Sequence, residues 1–216
     1  MGTIILDTKS SDATLTSRKI KQAQIMVPTT HVPVIDDLKL TLRQTVKIED
    51  SQKLVVTSGS DTSITIIDMK NRKTEKSINV GSSIYGIVHK DGKLFYNGCT
   101  SGLCVVSLDD DSITQLVNDT LSRHSSIIIW SDQLYYINDD SVTCCDLSGT
   151  FKWRLELASF LKRARGITVD NHGRVYVSGF HSHNVVVISP DGNKHKVLLS
   201  QKDNIFWPQT LFLIAK

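Results

Sequence analysis

The sequence predicts an all-β chain whose four-stranded sheets repeat and stack around a common axis, a β-propeller, and three observations carry that prediction. The stretch RGITVDNHGRVYVSGFHSHNVVVISPDGNKHKVLLS, residues 165–200, holds four short apolar runs, at 166–169, 175–178, 185–188 and 196–199, parted by turn clusters such as DNHG and SPDGN. Val, Ile and Tyr favour a pleated backbone while Pro, Asp, Asn and Gly supply turn geometry, so this stretch reads as a four-stranded antiparallel meander. Similar meanders recur upstream, with third strands starting at Ile64, Leu103, Val142 and Val185, a period of about 40 residues. Those third strands (ITIID, LCVVSL, VTCCD, VVVIS) are apolar on both faces. A lone sheet cannot bury both faces, whereas blades leaning on their neighbours can. Parallel α/β is the structural alternative, but no stretch of the 10–15 residues needed for a crossover helix is visible.

Taken in order, residues 1–36 are rich in Thr, Ser, Lys and Asp and read as a flexible N-terminal lead with one short extended piece at 23–27. The propeller then occupies 37–216. LKLTLRQTV, at 38–46, alternates apolar with polar as a strand with one covered face does. It has no hairpin partner close by, so it is expected to act as a closing strand for the far end of the chain, in the same blade as 208–214. Blades follow at 53–80, 84–118, 126–157 and 165–200, and 208–214 looks like the first strand of a fifth copy. That gives four complete blades plus a partial closing blade, and the pattern leaves open whether the ring closes or remains an arc. Residues 160–165 are expected to form one helical turn.

At 216 residues, 40% hydrophobic and 22% charged, the chain has the composition of a globular protein. A net charge of +3 permits a nucleic-acid partner without arguing for one. No window approaches the roughly 20 apolar residues of a membrane span, and the N-terminus lacks the pattern of a signal peptide. The four cysteines suggest no disulfide framework, in keeping with a reducing, cytoplasmic setting.

The run GITVDNHGRVYVSGFHSHNVVVISPDG resembles an NHL-type repeat, whose pattern is Gly-Ile-x-Val-Asp, then Gly-x-Val-Tyr-Val, then Asn-x-Val-x-Val-x-Ser-Pro-Asp-Gly. With SITIIDMKNRK, VHKDGKLFY, DSVTCCD and LLSQKD, residues 20–216 are similar to the C-terminal propellers of tripartite-motif-like proteins from molluscs. In those proteins a RING or B-box and a coiled coil precede about six blades. The resemblance implies a recognition module for a protein or, less directly, RNA, and a link to substrate recruitment for ubiquitin transfer. No Cys/His array with zinc-ligand spacing occurs in this sequence, so ligase activity is not carried over. The resemblance further implies a binding face built from loops that precede first strands.

Those loops hold the candidate binding residues: Arg123 and His124 before the third blade, Lys162, Arg163 and Arg165 before the fourth. Tyr85, Trp130 and Trp207, in or near first strands, are expected to line the core. His181-Ser182-His183 and Cys99-x4-Cys104 have metal-like spacings, but a zinc site needs three or four convergent ligands, so a solvated turn and a pair of half-buried thiols are expected. Asp109–Asp111 and Asp139-Asp140 read as solvated turns, lacking the distal Glu of a calcium loop. No nucleophile elbow, Walker loop or dinucleotide fingerprint occurs, so no catalytic residue, metal, cofactor or small-molecule substrate is predicted. A calcium-dependent propeller hydrolase ranks behind the two binding readings.

Overall fold

A computed structural model of the chain describes residues 3–9, 12–15, 44–48, 52–57 and 62–214. Strands β1 (Thr3–Lys9) and β2 (Asp12–Leu15) come first. A first four-stranded sheet is built from β3 (Gln44–Lys47), β4 (Lys53–Thr57), β5 (Ser63–Asp68) and β6 (Lys73–Asn79). The second holds β7 (Ile87–Lys90), β8 (Lys93–Asn97), β9 (Leu103–Ser107) and β10 (Ile113–Val117). β11 (Ile127–Trp130), β12 (Gln133–Asn138), β13 (Ser141–Asp146) and β14 (Phe151–Glu156) make the third. The fourth contains β15 (Ala164–Val169), β16 (Val175–Gly179), β17 (Asn184–Ile188) and β18 (His195–Leu199). β19 (Thr210–Ile214) pairs in parallel with β1, which pairs antiparallel with β2. Among the described residues no helix is long and apolar enough to cross a membrane.

The chain is therefore all-β, with four antiparallel sheets whose strands run in sequence order, and its arrangement is propeller-like. First strands neighbour one another in succession: β3 with β7, β7 with β11, β11 with β15, and β15 with β19. The core follows from this stacking. One apolar cluster joins Val55, Ile64 and Ile66 of the first sheet to Leu94, Tyr96, Cys104 and Val106 of the second. The next joins Phe95 and Leu103 to Leu134, Tyr136 and Cys145. A third joins Tyr135, Val142 and Cys144 to Val175, Val177 and Val186, and a fourth joins Tyr176 and Val185 to Leu211.

Neighbouring residues on one strand (Phe95 and Tyr96, Tyr135 and Tyr136, Cys144 and Cys145) thus enter different clusters, because successive side chains on a strand point to opposite faces. This is why β9, β13 and β17 are apolar on both faces, whereas β5 sends only Ile64 and Ile66 into a cluster. Burial pushes the Cys144 and Cys145 thiols up, to about 11 and about 12. All four cysteines are free thiols.

Close backbone approach ties the outer strand of one sheet to a turn of the next. The Trp153 indole N–H on β14 donates to the Pro190 carbonyl at 3.1 Å, and the ring lies under Gly192, whose φ is +73°. A Cβ at Gly192 would come within 2.5 Å of Trp153 Cδ2. Gly192→Ala is expected to cost about 1–3 kcal/mol, read by chemical denaturation, as the indole is displaced.

Three expectations are corrected. The described part of 38–46, Gln44–Lys47, pairs with Lys53–Thr57, so it is the first strand of the first sheet and not a closing strand; residues 37–43 lie outside the described residues. Alternation marks a strand with one covered face but does not choose its partner, and a short hairpin connection closes at less entropic cost than a pairing with the chain end. Part of the expected flexible lead, 1–36, holds β1 and β2, and β1 is the partner of Thr210–Ile214; the short piece expected at 23–27 lies outside the described residues. Residues 160–165 form no helix: Leu161 N–H closes a single turn on the Leu157 carbonyl at 2.7 Å before β15 begins.

Candidate functional site

In an antiparallel meander the turns between second and third strands lie at the same end as the loops that enter the next first strand. The loops 118–126, 157–163 and 200–209 and the turns 139–140 and 180–183 therefore share one end of the sheets. Side chains at strand ends fix these loops. Asn97, 1% exposed at the end of β8, donates to the Ser122 carbonyl at 2.8 Å, and Leu121 anchors the same loop in the core. Asn138, its counterpart on β12, donates to Thr120 O and accepts from Ser122 N–H. Asn184 donates to Phe160 O at 2.6 Å. The Lys162–Arg163 segment is bound to the 180–183 turn through Phe180 N–H to Arg163 O, His181 N–H to Lys162 O and Lys162 N–H to Ser182 Oγ, each 3.0 Å.

Between these loops lies a pocket of about 210 Å³, lined by Ser122, Arg123, His124, Asp139, Arg163 and Ala164. Asp140 accepts from Arg163 N–H at 2.8 Å, and Ala164 N–H donates to Asp139 O, which sets the two walls against each other. Arg165 is half-buried; its guanidinium carbon lies 4.0 Å from the centroid of the Phe180 ring, so the ring face holds the cation. Arg165 Nε is buried and makes no hydrogen bond among the described residues. Partial desolvation first, then the positive charges of Arg165, Arg163 and Arg123, hold the His124 imidazole below its ordinary value, with Asp139 opposing them. The imidazole is thus biased neutral by its own surroundings.

Of the residues expected to form the binding face, Arg123, His124 and Arg163 converge on this pocket, and Arg165 lies within electrostatic reach of His124. Lys162 is exposed in the same loop and does not line the pocket. The same end of the sheets carries an aromatic group that the sequence reading did not place on the binding face. Phe206 and Trp207 are 48% and 55% exposed, and His183 packs edge-on to Trp207 with centroids 4.9 Å apart. Trp207 N–H donates to His183 Nδ1 at 3.1 Å. Trp207 therefore does not line the core: it lies in the loop ahead of β19, at positive φ, with its ring outside. Topology held the missing signal, since Phe206-Trp207 precedes β19 as Arg123-His124 precedes β11 and Lys162-Arg163 precedes β15. Of the remaining exposed large apolar side chains, Phe212 lies on β19 itself, and Met69, Ile113, Phe151 and Val197 belong to other turns and outer strands.

Asp139 is exposed in its turn, as expected, and also forms a wall of the pocket. Asp110 does cap its turn, accepting from Ser112 N–H and Oγ. Among the described residues no three His, Cys, Asp or Glu side chains converge as a metal site.

No protein family matches the sequence, and no curated protein matches it either. Among solved structures 828 chains match, so the architecture is widely shared and by itself selects no function. One, from the crystal structure of a nidogen/laminin complex, aligns with a TM-score of 0.58 at 16% identity. The alignment covers 73% of this chain and 64% of that one. At that identity the likeness shows the fold alone.

Proposed function

We propose that the chain is a non-catalytic interaction module that binds an acidic segment of a protein partner on this loop face. The observation that carries the reading is the juxtaposition, on loops bound to one another, of an arginine-lined pocket with an exposed Phe206–Trp207 pair. Arginine and tryptophan are the side chains that dominate binding energy at protein interfaces. An apolar anchor seats on the indole while carboxylates meet the guanidiniums, which steer approach and fix register. Because the loops are anchored in the sheets, little conformational freedom is lost on docking. That a similar fold occurs in a nidogen/laminin complex, an assembly of two proteins, fits this role. In the same reading the sheets are NHL-type blades, four complete and a partial one at β19, consistent with the repeat pattern at 166–192.

A random peptide library selected against the immobilised chain tests this. Acidic segments with an aromatic or aliphatic residue are expected to be enriched. Trp207→Ala should weaken the selected peptides by about 2 kcal/mol or more, and Arg163→Ala should reduce the salt dependence of their association. Peptides that bind the double variant as tightly as the parent chain would reject the assignment.

A further inference from the structure

The pocket between the third and fourth sheets has a charge pattern that suits one class of anion. Its volume of about 210 Å³ lies below the roughly 300–1,000 Å³ of pockets that enclose whole small molecules, so it takes a head group and not a complete ligand. The charged groups facing His124 come from every surrounding element: Arg123 from its own loop, Arg163 from the next loop, Arg165 from β15 and Asp139 from the 139–140 turn. Asp140 adds a second carboxylate, held on the Arg163 backbone. Among the lining groups, Arg123 and Arg163 against Asp139 leave a single positive charge while His124 is neutral, and a second once it is protonated; Arg165 and Asp140 lie outside the lining. A carboxylate would be matched without the imidazole; a dianion would be matched only with it.

We propose that this pocket is a phosphomonoester subsite, taking the phosphate of a phosphorylated side chain in the partner segment, with Arg123 and Arg163 donating to its oxygens. The proposal rests on reading this face as a protein-docking surface and names the chemistry of one position in the docked segment. Arg165, stacked on Phe180 behind the pocket, supplies fixed positive charge, and His124 takes up a proton as the dianion enters. Dianion and imidazolium favour one another, so binding draws a proton to His124 and is strongest near the phosphate's second pKa of about 6, weakening as the second charge is lost at lower pH.

The direct test follows the His124 imidazole by NMR across pH, with its signals assigned from a His124→Gln variant, in inorganic phosphate and in chloride or acetate at equal ionic strength. Phosphate is expected to raise the His124 midpoint by about one pH unit, the size of shift a nearby opposite charge produces. Arg163→Ala, or Arg123→Ala in the separate loop, should remove that rise while the other histidines keep their midpoints. An unmoved midpoint, or an equal rise in acetate, overturns the phosphate subsite. An RNA oligonucleotide that shifts His124 at lower concentration than a phosphoserine peptide also overturns it, in favour of a nucleic-acid backbone. If His124 is silent while selected peptides still depend on Trp207, the subsite fails and the docking face stands; if peptides ignore Trp207 and Arg163 as well, both fail.

Discussion

Replacing Asp170 by alanine is expected to lower the unfolding free energy by about 2–4 kcal/mol. A buried carboxylate's hydrogen bonds are lost and the Tyr176 hydroxyl is left without its acceptor, while Arg174, 45% exposed, stays solvated. Asp170 is 4% exposed where β15 turns into β16. One carboxylate oxygen accepts from the backbone N–H groups of His172 and Arg174, each at 2.9 Å. The other accepts from Arg174 Nε at 2.6 Å and the Tyr176 hydroxyl at 3.1 Å. Desolvation pushes the carboxyl up, but the Arg174 and His172 hydrogen bonds and the Arg174 charge outweigh it, and Asp170 is held below its ordinary value. A depressed folded value means the stabilisation is complete above the unfolded value of about 3.9 and is lost as pH falls through the folded one. The gap between the parent chain and Asp170→Ala should therefore be widest above about pH 3.9 and narrow as pH falls through the depressed folded value. Urea denaturation at several pH values reads this; a pH-independent gap would show that the cost comes from lost packing alone.

Gly102→Ala is expected to be comparably severe, on the order of 4 kcal/mol. Gly102 has φ +71° and ψ −149°, a region essentially closed to residues with a Cβ. An added Cβ would stand 2.1 Å from the Val117 carbonyl oxygen and 2.8 Å from that of Asp119, both backbone atoms that no rotamer change can move. The turn at 99–102 also accepts Leu121 N–H through Cys99 O, so the substitution displaces the start of the loop that carries Arg123 and His124. Loss of melting temperature together with loss of phosphate response at His124 is the expected pair of readouts.

Sequence alone revealed more of the sheets than of the surface. The third strands could be placed because β9, β13 and β17 are each squeezed between two apolar clusters, which enriches both faces in apolar residues, while β5 packs one face into a cluster. The fourth sheet could be outlined because its turns use Asp-Asn-His-Gly and Ser-Pro-Asp-Gly, residues whose backbone preferences are strong. The partner of Gln44–Lys47 could not be read, since a strand pattern is silent about register and partner. Nor could the pairing of β19 with β1, which joins the two ends of the chain. At the site, the arginines and His124 were legible because the parity of a meander gathers first-strand loops at one end. Asp139 and Trp207 were not. Whether an aspartate in a turn faces solvent or a neighbouring loop, and whether an indole next to a strand turns in or out, depends on the sheet beside it.

Hydrogen exchange on the chain with and without a selected acidic peptide tests the central claim most directly. Protection is expected at 118–126, 139–140, 157–163, 180–183 and 200–209, the loops that share the basic and aromatic end. The turns at the opposite end, 69–72, 108–112, 131–132, 147–150, 170–174 and 189–194, should exchange unchanged. Protection centred on those turns, or on the outer strands β6, β10, β14 and β18, would contradict the account.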